Sequence, residues 1–371
     1  MNPFITSGYV SAEHFCNREK ETKKLRTAIE NNSKITLISI RRMGKTGLIK
    51  HVYNMLENRK TNLIYTDISH TNNLADFIEV ISNAILKKFR SKPEIFFKEL
   101  GSLLRNIRPV MKFDERTGEP QASLTFVSDK EPQHTLESIF DYLNVQSKNK
   151  RICLAIDEFQ QITDYPEKNT EALLRSYIQH LTGVAFVFSG SKNKIMQNIF
   201  FNAKRPFYQS TEPVFLKKIE HIKYYNFIKN NFENNSISIP EDIINLILEW
   251  TCLHTYYVQY FCYKLFDISL NTVTIDDFHN TCDIILEEHE STYLNYKNIL
   301  TEQQWNFLKA VAKESSVNKP MAIDFIKKYS LPGSSTISYM LKKLIEFDMI
   351  YEENSSYYVY DVFFSRWLER L

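Results

Sequence analysis

A glycine, a lysine and a threonine stand together shortly after an apolar run of the chain. The run is Ile35 to Ile40 (ITLISI), and Ser39 to Thr46 reads SIRRMGKT. A loop between a strand and a helix presents backbone N–H groups to phosphate oxygens, and the helix dipole adds to the attraction. A lysine in such a loop neutralises charge on the β- and γ-phosphates, while a threonine hydroxyl binds Mg²⁺. The segment therefore predicts a phosphate-binding loop for ATP with Mg²⁺.

This predicted loop departs from the pattern GxxxxGK[ST] at one position, because Ser39 stands where the pattern has its first glycine. Gly44 would let the backbone approach the phosphates closely. Lys45 would neutralise phosphate charge, and Thr46 would hold the metal ion. The residues predicted to contact the nucleotide here are Arg41, Arg42, Met43, Gly44, Lys45, Thr46 and Gly47.

A second apolar run, Ile152 to Ile156 (ICLAI), ends in two acidic residues, Asp157 and Glu158. The first carboxylate after such a strand would hold Mg²⁺ through a water molecule. The second would act as a base or orient the attacking water. The alternative interpretation is an acidic cap on a helix. Together with the loop, the pair predicts catalytic roles for Lys45, Asp157 and Glu158 in hydrolysis of ATP.

Polar residues at the end of a third run are candidates for sensing the γ-phosphate. Val184 to Phe188 is followed by Ser189 and Ser191, and an ordinary turn at a strand end is the alternative explanation. In-line phosphoryl transfer also gains from a positioned guanidinium. Arg205 and Arg175 are candidates for that catalytic role, and a surface or structural arginine is the alternative for each.

The segments around these residues alternate between strand-like and helix-like patterns. Short apolar runs rich in β-branched residues indicate strands buried on both faces, as in a parallel sheet. Their alternation with helical segments predicts an α/β domain. The predicted strands are Ile35 to Ile40, Leu63 to Ile68, Ile152 to Ile156 and Val184 to Phe188, and the predicted helices are Gly47 to Asn58, Leu74 to Phe89, Leu136 to Leu143 and Thr170 to Leu181.

Three domains are predicted from changes in this pattern. Residues 1–212 form the P-loop α/β domain, with a hairpin inserted at about 111–129, where Arg116 to Pro120 has the composition of a turn. Strand-like runs stop at about Pro213, and residues 213–300 predict a helical lid domain. Its predicted helices are Ile219 to Phe232, Glu241 to Trp250, Tyr256 to Phe266, Ile275 to Glu288 and Ser291 to Leu300.

Residues 301–371 predict a winged helix, in which three helices precede a β-hairpin. A short amphipathic helix follows from Asp361 to the C-terminal Leu371. The predicted helices are Gln303 to Ala312, Met321 to Lys328 and Ser334 to Phe347, and the predicted strands are Met349 to Tyr351 and Tyr357 to Tyr360.

A winged helix suggests contact with DNA, and the charge of this domain bears on that idea. Residues 300–371 contain nine Lys and Arg and nine Asp and Glu. Phosphate contacts supply most non-specific affinity for DNA, so a neutral domain is expected to bind DNA weakly by itself. The winged helix could therefore bind duplex DNA, bind a protein partner or regulate the rest of the chain, and the sequence leaves all three alternatives open.

The overall composition gives no sign of a membrane or secreted protein. The formal net charge of the 371 residues is +2, so no global field attracts nucleic acid or lipid. No stretch approaches the roughly 18 uncharged apolar residues of a membrane span, and the N-terminus has no signal-peptide pattern. Five scattered cysteines without a CxxC pair indicate free thiols. We expect a cytoplasmic protein that does not bind membranes.

With these residues in view, the chain resembles the archaeal-type ATPases of the AAA+/STAND group over nearly its whole length. Phe15 to Glu21 (FCNREKE) is similar to the family's opening motif, and the loop Ile40 to Thr46 (IRRMGKT) to its form of the P-loop. Cys252 to Tyr257 (CLHTYY) resembles a segment of the helical lid, with Thr255 where the family has proline. Tyr358 to Trp367 (YVYDVFFSRW) is similar to the family's ending.

The resemblance implies a P-loop ATPase fold, ATP as the ligand and several site residues beyond those already named. The arginine of the opening motif, Arg18, would lie near the nucleotide, and His254 would contact it from the lid. The residues carried over are Arg18, Gly44, Lys45, Thr46, Asp157, Glu158, His254 and Arg205.

Three functions follow as hypotheses. In the first, the protein hydrolyses ATP slowly, and the cycle moves the lid and the winged helix. In the second, ATP is a switching ligand with negligible hydrolysis, and the winged helix recruits DNA or a protein. The intact pair Asp157 and Glu158 argues against this second hypothesis, because a pure binder does not need the glutamate. In the third, ATP binding drives self-association.

Overall fold

Five strands of the chain form one parallel sheet, and two further strands form a separate hairpin. The computed structural model describes residues 2–57, 61–89, 107–113, 120–126 and 132–371. In chain order the strands up to residue 215 are β1 (Lys34–Ile38), β2 (Thr61–Asp67), β3 (Ile107–Phe113), β4 (Pro120–Phe126), β5 (Arg151–Asp157), β6 (Val184–Gly190) and β7 (Glu212–Phe215). The order across the sheet is β2-β5-β6-β1-β7, with every pair parallel. This sheet confirms the predicted α/β fold.

The fifth strand, β7, corrects the expectation that strands stop at Pro213. It pairs with β1, with Leu37 opposite Val214. Only Val214 of its four residues is buried. A short, mostly exposed edge strand containing proline gives no apolar pattern, and proline is tolerated there because an edge strand does not need every N–H group.

Helices cover both faces of the sheet. They are α1 (Glu19–Glu30), α2 (Lys45–Leu56), α3 (Leu74–Lys88), α4 (Pro132–Ser147), α5 (Thr170–His180) and α6 (Asn193–Phe201), with a short 3₁₀ helix at Phe159–Asp164. One apolar core joins α1 and α2 to one face of the sheet. A second joins α3, α4, α5 and α6 to the other face. Helices α1 and α6 are additions to the sequence prediction.

The predicted inserted hairpin is confirmed as an antiparallel pair of strands. Its register joins Ile107 to Phe126 and Phe113 to Pro120, so the first strand begins before the predicted 111. The predicted turn residues 116–119 lie outside the described residues.

The chain divides into two compact units, Gly8–Lys217 and Lys218–Leu371 together with Met1–Ser7. We call the first the ATPase unit, after the phosphate loop predicted within it, and the second the helical unit. The helices of the helical unit are α7 (His221–Glu233), α8 (Glu241–Trp250), α9 (Thr255–Ile268), α10 (Ile275–Ile299), α11 (Glu302–Lys313), α12 (Ile323–Lys328), α13 (Ser334–Glu346) and α14 (Val362–Glu369).

One long helix replaces two predicted ones. Helix α10 runs for 25 residues through the predicted break between Glu288 and Ser291. It begins with a capping box in which Thr274 and Asp277 each bond the other's backbone N–H group. No glycine or proline interrupts the segment, so nothing ends the helix there.

The predicted winged helix is confirmed by α11, α12 and α13 followed by the antiparallel strands β8 (Ile350–Glu353) and β9 (Ser356–Val359). Asn354 and Ser355 both have positive φ, 49° and 62°, as a two-residue hairpin turn requires. Asp361 then caps the tail helix α14 by accepting from the N–H group of Phe364 at 3.1 Å.

The first residues of the chain belong to the helical unit, which is not among the sequence predictions. Phe4 is buried against the rings of Phe227, Phe232 and Phe266. The side-chain amide of Asn2 donates to the carbonyl of Tyr263 at 2.9 Å. The chain therefore passes between the two units twice, after Ser7 and after Lys217. No helix in the described part of the chain is long and apolar enough to cross a membrane.

Candidate active site

The predicted phosphate loop connects β1 to α2. Gly44 immediately precedes α2 and has φ 92°, a left-handed conformation that suits glycine and strains other residues. Arg42 also has positive φ, 64°. Positive φ at these two loop residues is typical of backbone turns that can direct N–H groups toward an anion.

The other predicted loop residues surround this turn. Arg41 and Arg42 are exposed, whereas Met43 is buried. Gly47 lies in the first turn of α2, where an added Cβ would stand 3.7 Å from the ring of Phe15. The two arginine side chains therefore lie at the surface of the loop, and Met43 anchors the loop in the core.

The side chain of Lys45 folds back onto the loop. Its Nζ lies 3.3 Å from the carbonyl oxygen of Ser39, 3.4 Å from Ser39 Oγ and 3.4 Å from the carbonyl oxygen of Ile40. These distances are long, because N–H···O hydrogen bonds usually span about 2.7–3.2 Å. Burial lowers the pKa of Lys45, and the carboxylates of Glu158 and Asp157 oppose that shift. A phosphate oxygen would be a stronger partner than those present.

Asp157 lies at the centre of the site and accepts four hydrogen bonds. Thr46 Oγ1 donates to Oδ2 at 2.6 Å, and the Tyr65 hydroxyl donates to the same oxygen at 2.8 Å. Ser189 Oγ donates to Oδ1 at 2.6 Å, and the N–H group of Glu158 at 3.1 Å. The carboxylate therefore links the start of α2 to residues near the ends of the neighbouring strands β2, β5 and β6. Of the two serines that the sequence singles out, Ser189 is the one that contacts Asp157.

Sequence reasoning missed Tyr65. Strand β2 lies beside β5, with Tyr65 opposite Ala155 and Asp67 opposite Asp157. Burial and the Asp157 carboxylate both raise the pKa of Tyr65, so its hydroxyl keeps its proton and acts as a donor. No local motif marks this residue, because its role depends on which strand lies next to β5.

Glu158 is held beside the end of β6. It has φ 56°, outside the usual region for a glutamate. Its Oε2 accepts from Ser191 Oγ at 2.7 Å and from the Ser191 N–H group at 3.3 Å, and also from the side-chain amide of Gln160. A Cβ at Gly190 would collide with the Gln160 side chain. Ser191 therefore contacts the second acidic residue, while Ser189 contacts the first.

Arg18 is buried and binds backbone carbonyl groups. Its Nη2 donates to the carbonyl of Met43 at 3.1 Å, and its Nη1 to the carbonyl of Lys217 at 2.6 Å. Nη1 also lies 3.4 Å from a carboxylate oxygen of Glu21. The guanidinium thus contacts the backbone of the loop. Its predicted place near the nucleotide stays a prediction.

The remaining candidate residues are Arg205, Arg175 and His254. Arg205 forms an ion pair with Glu171 of α5, and burial raises the pKa of Glu171. Arg175 lies on an exposed face of α5 and donates to Gln179 at 3.1 Å. His254 belongs to the helical unit, where it is buried at the start of α9. A catalytic role for Arg205 and a nucleotide contact for His254 stay predictions.

Two models of known protein families match the chain. The model of an ATPase domain found predominantly in Archaea matches residues 15–259. The chain belongs to this archaeal-type ATPase family. A model of a probable winged helix domain matches residues 291–370 of the same archaeal-type ATPase.

Solved structures support the fold of this archaeal-type ATPase. A Walker-type ATPase of Pyrococcus abyssi is similar over 100% of both chains, with TM-score 0.67 and 18% sequence identity. The ORC2 protein of Aeropyrum pernix, solved as ADPNP–ADP complexes, is similar over 97% of this chain and 94% of its own, with TM-score 0.59 and 14% identity. A search of curated proteins found no match. The ATPase family and its P-loop fold are therefore established for the chain.

Proposed function

We propose that this archaeal-type ATPase binds ATP with Mg²⁺ at the phosphate loop, hydrolyses it, and uses the cycle to move a helical lid and the winged helix. The observation that carries the proposal is the Asp157 carboxylate, bonded on one side to Thr46 of the loop and on the other to Ser189 and Glu158. We further propose the division into an ATPase domain (1–212), a lid (213–300) and a winged helix (301–371).

The donor groups at this point suit Mg²⁺. Hydroxyl and carboxylate oxygens are the ligands that this small, hard cation prefers. The Thr46 hydroxyl donates its proton to Asp157, so its oxygen keeps lone pairs for a metal. Thr46 would hold the ion directly and Asp157 through water. Bound Mg²⁺ would neutralise charge on the phosphates.

Each side chain has one task in the proposed reaction. Lys45 exchanges its long contacts with Ser39 and Ile40 for phosphate oxygens. Glu158 orients the attacking water and accepts its proton, which requires its carboxylate to leave Ser191 and Gln160. Arg205 stabilises charge on the transferred phosphoryl group once released from Glu171. Slow hydrolysis follows, because these groups must first be freed.

The alternative is a switch that binds ATP, with negligible hydrolysis, and recruits DNA or a protein. The hydrogen bonds that hold Glu158 favour it, because they keep the base occupied. In this alternative, DNA would contact helix α13, which exposes Ser334, Ser335, Ser338 and Lys342. The exposed carboxylates of Glu352 and Glu353 on the hairpin would repel the DNA phosphates. Self-association on ATP binding is a further outcome.

The test is ATP turnover by the purified chain with Mg²⁺, measured alone and with duplex DNA at low and moderate salt. We expect measurable turnover without DNA. Stimulation that falls as salt rises would assign the winged helix to DNA. ATP binding without turnover under all conditions would support the switch, and no ATP binding would contradict both functions.

Replacing Tyr65 with phenylalanine is expected to raise the Mg²⁺ concentration for half-maximal turnover by about 2- to 10-fold, the value of one hydrogen bond. The change removes one of two donors to Asp157 Oδ2 and leaves ATP untouched. Tyr53 is the matched control, since its hydroxyl donates to the carbonyl of Ile64 at 2.9 Å. An unchanged Mg²⁺ dependence in Tyr65→Phe would show that Asp157 does not need this support.

A further inference from the structure

One guanidinium group connects the phosphate loop with the place where the chain leaves the ATPase unit. Arg18 donates to the carbonyl of Met43, within the loop, and to the carbonyl of Lys217, the last residue of the unit. Arg18 is only 4% exposed. Both carbonyls are therefore held by a side chain that solvent hardly reaches.

The contact with Met43 fixes the direction of a phosphate-binding donor. The peptide group between Met43 and Gly44 is planar and trans, so its C=O and N–H bonds point in opposite directions. While Arg18 holds the carbonyl, the Gly44 N–H group must point to the opposite side of the loop. Arg18 thus orients an N–H group that would face phosphate in the nucleotide binding proposed above.

The contact with Lys217 lies beside the strand that leads into the loop. The N–H group of Leu216 donates to the carbonyl of Ile38, the last residue of β1, at 3.0 Å. Lys217 follows, and Lys218 is the first residue of the helical unit on this side. The segment 216–218 is therefore tied to both the end of β1 and Arg18.

We propose that Arg18 is a positioning residue that couples phosphate binding at Met43 and Gly44 to the segment at Lys217 and Lys218. The proposal rests on the nucleotide binding proposed above and adds the contacts by which that binding would affect the segment at Lys217 and Lys218. The guanidinium is a rigid planar group, so its two hydrogen bonds cannot be re-aimed independently. Any shift of the Met43–Gly44 peptide when phosphate binds either moves the guanidinium, which then disturbs its bond to Lys217, or breaks its bond to Met43.

The test is amide hydrogen exchange in segments 43–48 and 214–220, with and without saturating ADP or a non-hydrolysable ATP analogue. In the wild type we expect nucleotide to change the rate of amide exchange by at least about threefold in both segments, because the Arg18 guanidinium links them. Arg18→Lys keeps the charge but lacks the planar fork. At saturating nucleotide it should keep the change at 43–48 and lose it at 214–220.

Arg26→Lys is the matched control, because Arg26 lies on α1, which Arg18 immediately precedes, and bonds Glu30 at 3.0 Å. It should respond as the wild type does. A full response at 214–220 in Arg18→Lys, or no response there in a wild type that binds nucleotide, would overturn the coupling and leave ATP binding intact. A wild type that binds no nucleotide would instead overturn the proposed function.

A second measurement needs no variant and applies if Arg18→Lys fails to fold. In the wild type, exchange at 43–48 and at 214–220 should follow the same dependence on ADP concentration. Two different midpoints, or a change in the first segment alone, would contradict the coupling.

Discussion

The Lys45→Ala protein is expected to turn over ATP about 10²- to 10³-fold more slowly than the wild type at saturating nucleotide, the usual loss when one positioned donor is removed from a transition state. The side chain is buried, and its charge interacts with the carboxylates of Glu158 and Asp157. Affinity for ATP should fall by about 10- to 100-fold, the value of a hydrogen bond to a charged group.

Measuring folding stability distinguishes a loss of turnover in Lys45→Ala from a general loss of structure. The three contacts of Lys45 are long and its burial disfavours the charge, so removing it is expected to change the free energy of unfolding by less than about 1 kcal/mol. Lys24→Ala is the control, because Lys24 is exposed and lies 3.9 Å from Glu212. Turnover and equilibrium binding should be measured together with thermal unfolding. Turnover in Lys45→Ala equal to that of the control would refute the proposed role.

The Glu158→Gln protein is expected to lose about 10²- to 10⁴-fold in turnover while binding ATP as the wild type does. Glutamine has nearly the same shape, and its carbonyl can still accept from Ser191 Oγ. It cannot accept a proton from water, however, so the chemical step fails. The mutant should therefore accumulate in its ATP-bound form, measurable as unhydrolysed nucleotide retained by the protein.

Glu57→Gln is a suitable control, because Glu57 is exposed just after α2. Glu158→Gln with wild-type turnover would show that the carboxylate is not the base, and the hydrogen bonds from Ser191 and Gln160 would then be its main role. Loss of ATP binding together with turnover would point to damage of the loop.

The phosphate loop and the acidic pair could be predicted because each is a contiguous segment. Gly44, Lys45 and Thr46 follow one another, as do Asp157 and Glu158, and both segments directly follow buried strands. Their meeting also follows from sequence, because parallel strands end at the same edge of a sheet. The hydrogen bond between Thr46 and Asp157 is the result.

Three features could not be predicted, because each depends on distant parts of the chain. Tyr65 reaches Asp157 only because β2 lies next to β5, and strand order is not written in any one strand. Arg18 binds the carbonyl of Lys217, which is 199 positions away. Strand β7 has an unremarkable sequence, since only Val214 faces the core. Local patterns carry no information on such pairings.

Helix α1 was missed for a different reason. Its sequence, EKETKKLRTAIE, has few apolar residues, and only Leu25, Ala28 and Ile29 supply apolar burial. A helix with so little apolar content resembles a solvated polar segment in sequence, although its few apolar residues pack in the core with α2 and the sheet.

The double passage of the chain between its units has a consequence for the order of folding. The ATPase unit is an insertion within the helical unit, since Met1–Ser7 and Lys218–Leu371 belong together. Asn2 and Ile5 find partners 254 to 265 positions further along the chain. At about 5–20 residues per second, a ribosome makes those partners roughly 10–50 s after the segment itself. During synthesis, therefore, Phe4 is expected to find its partners Phe227, Phe232 and Phe266 only after every strand of the five-stranded sheet has been made.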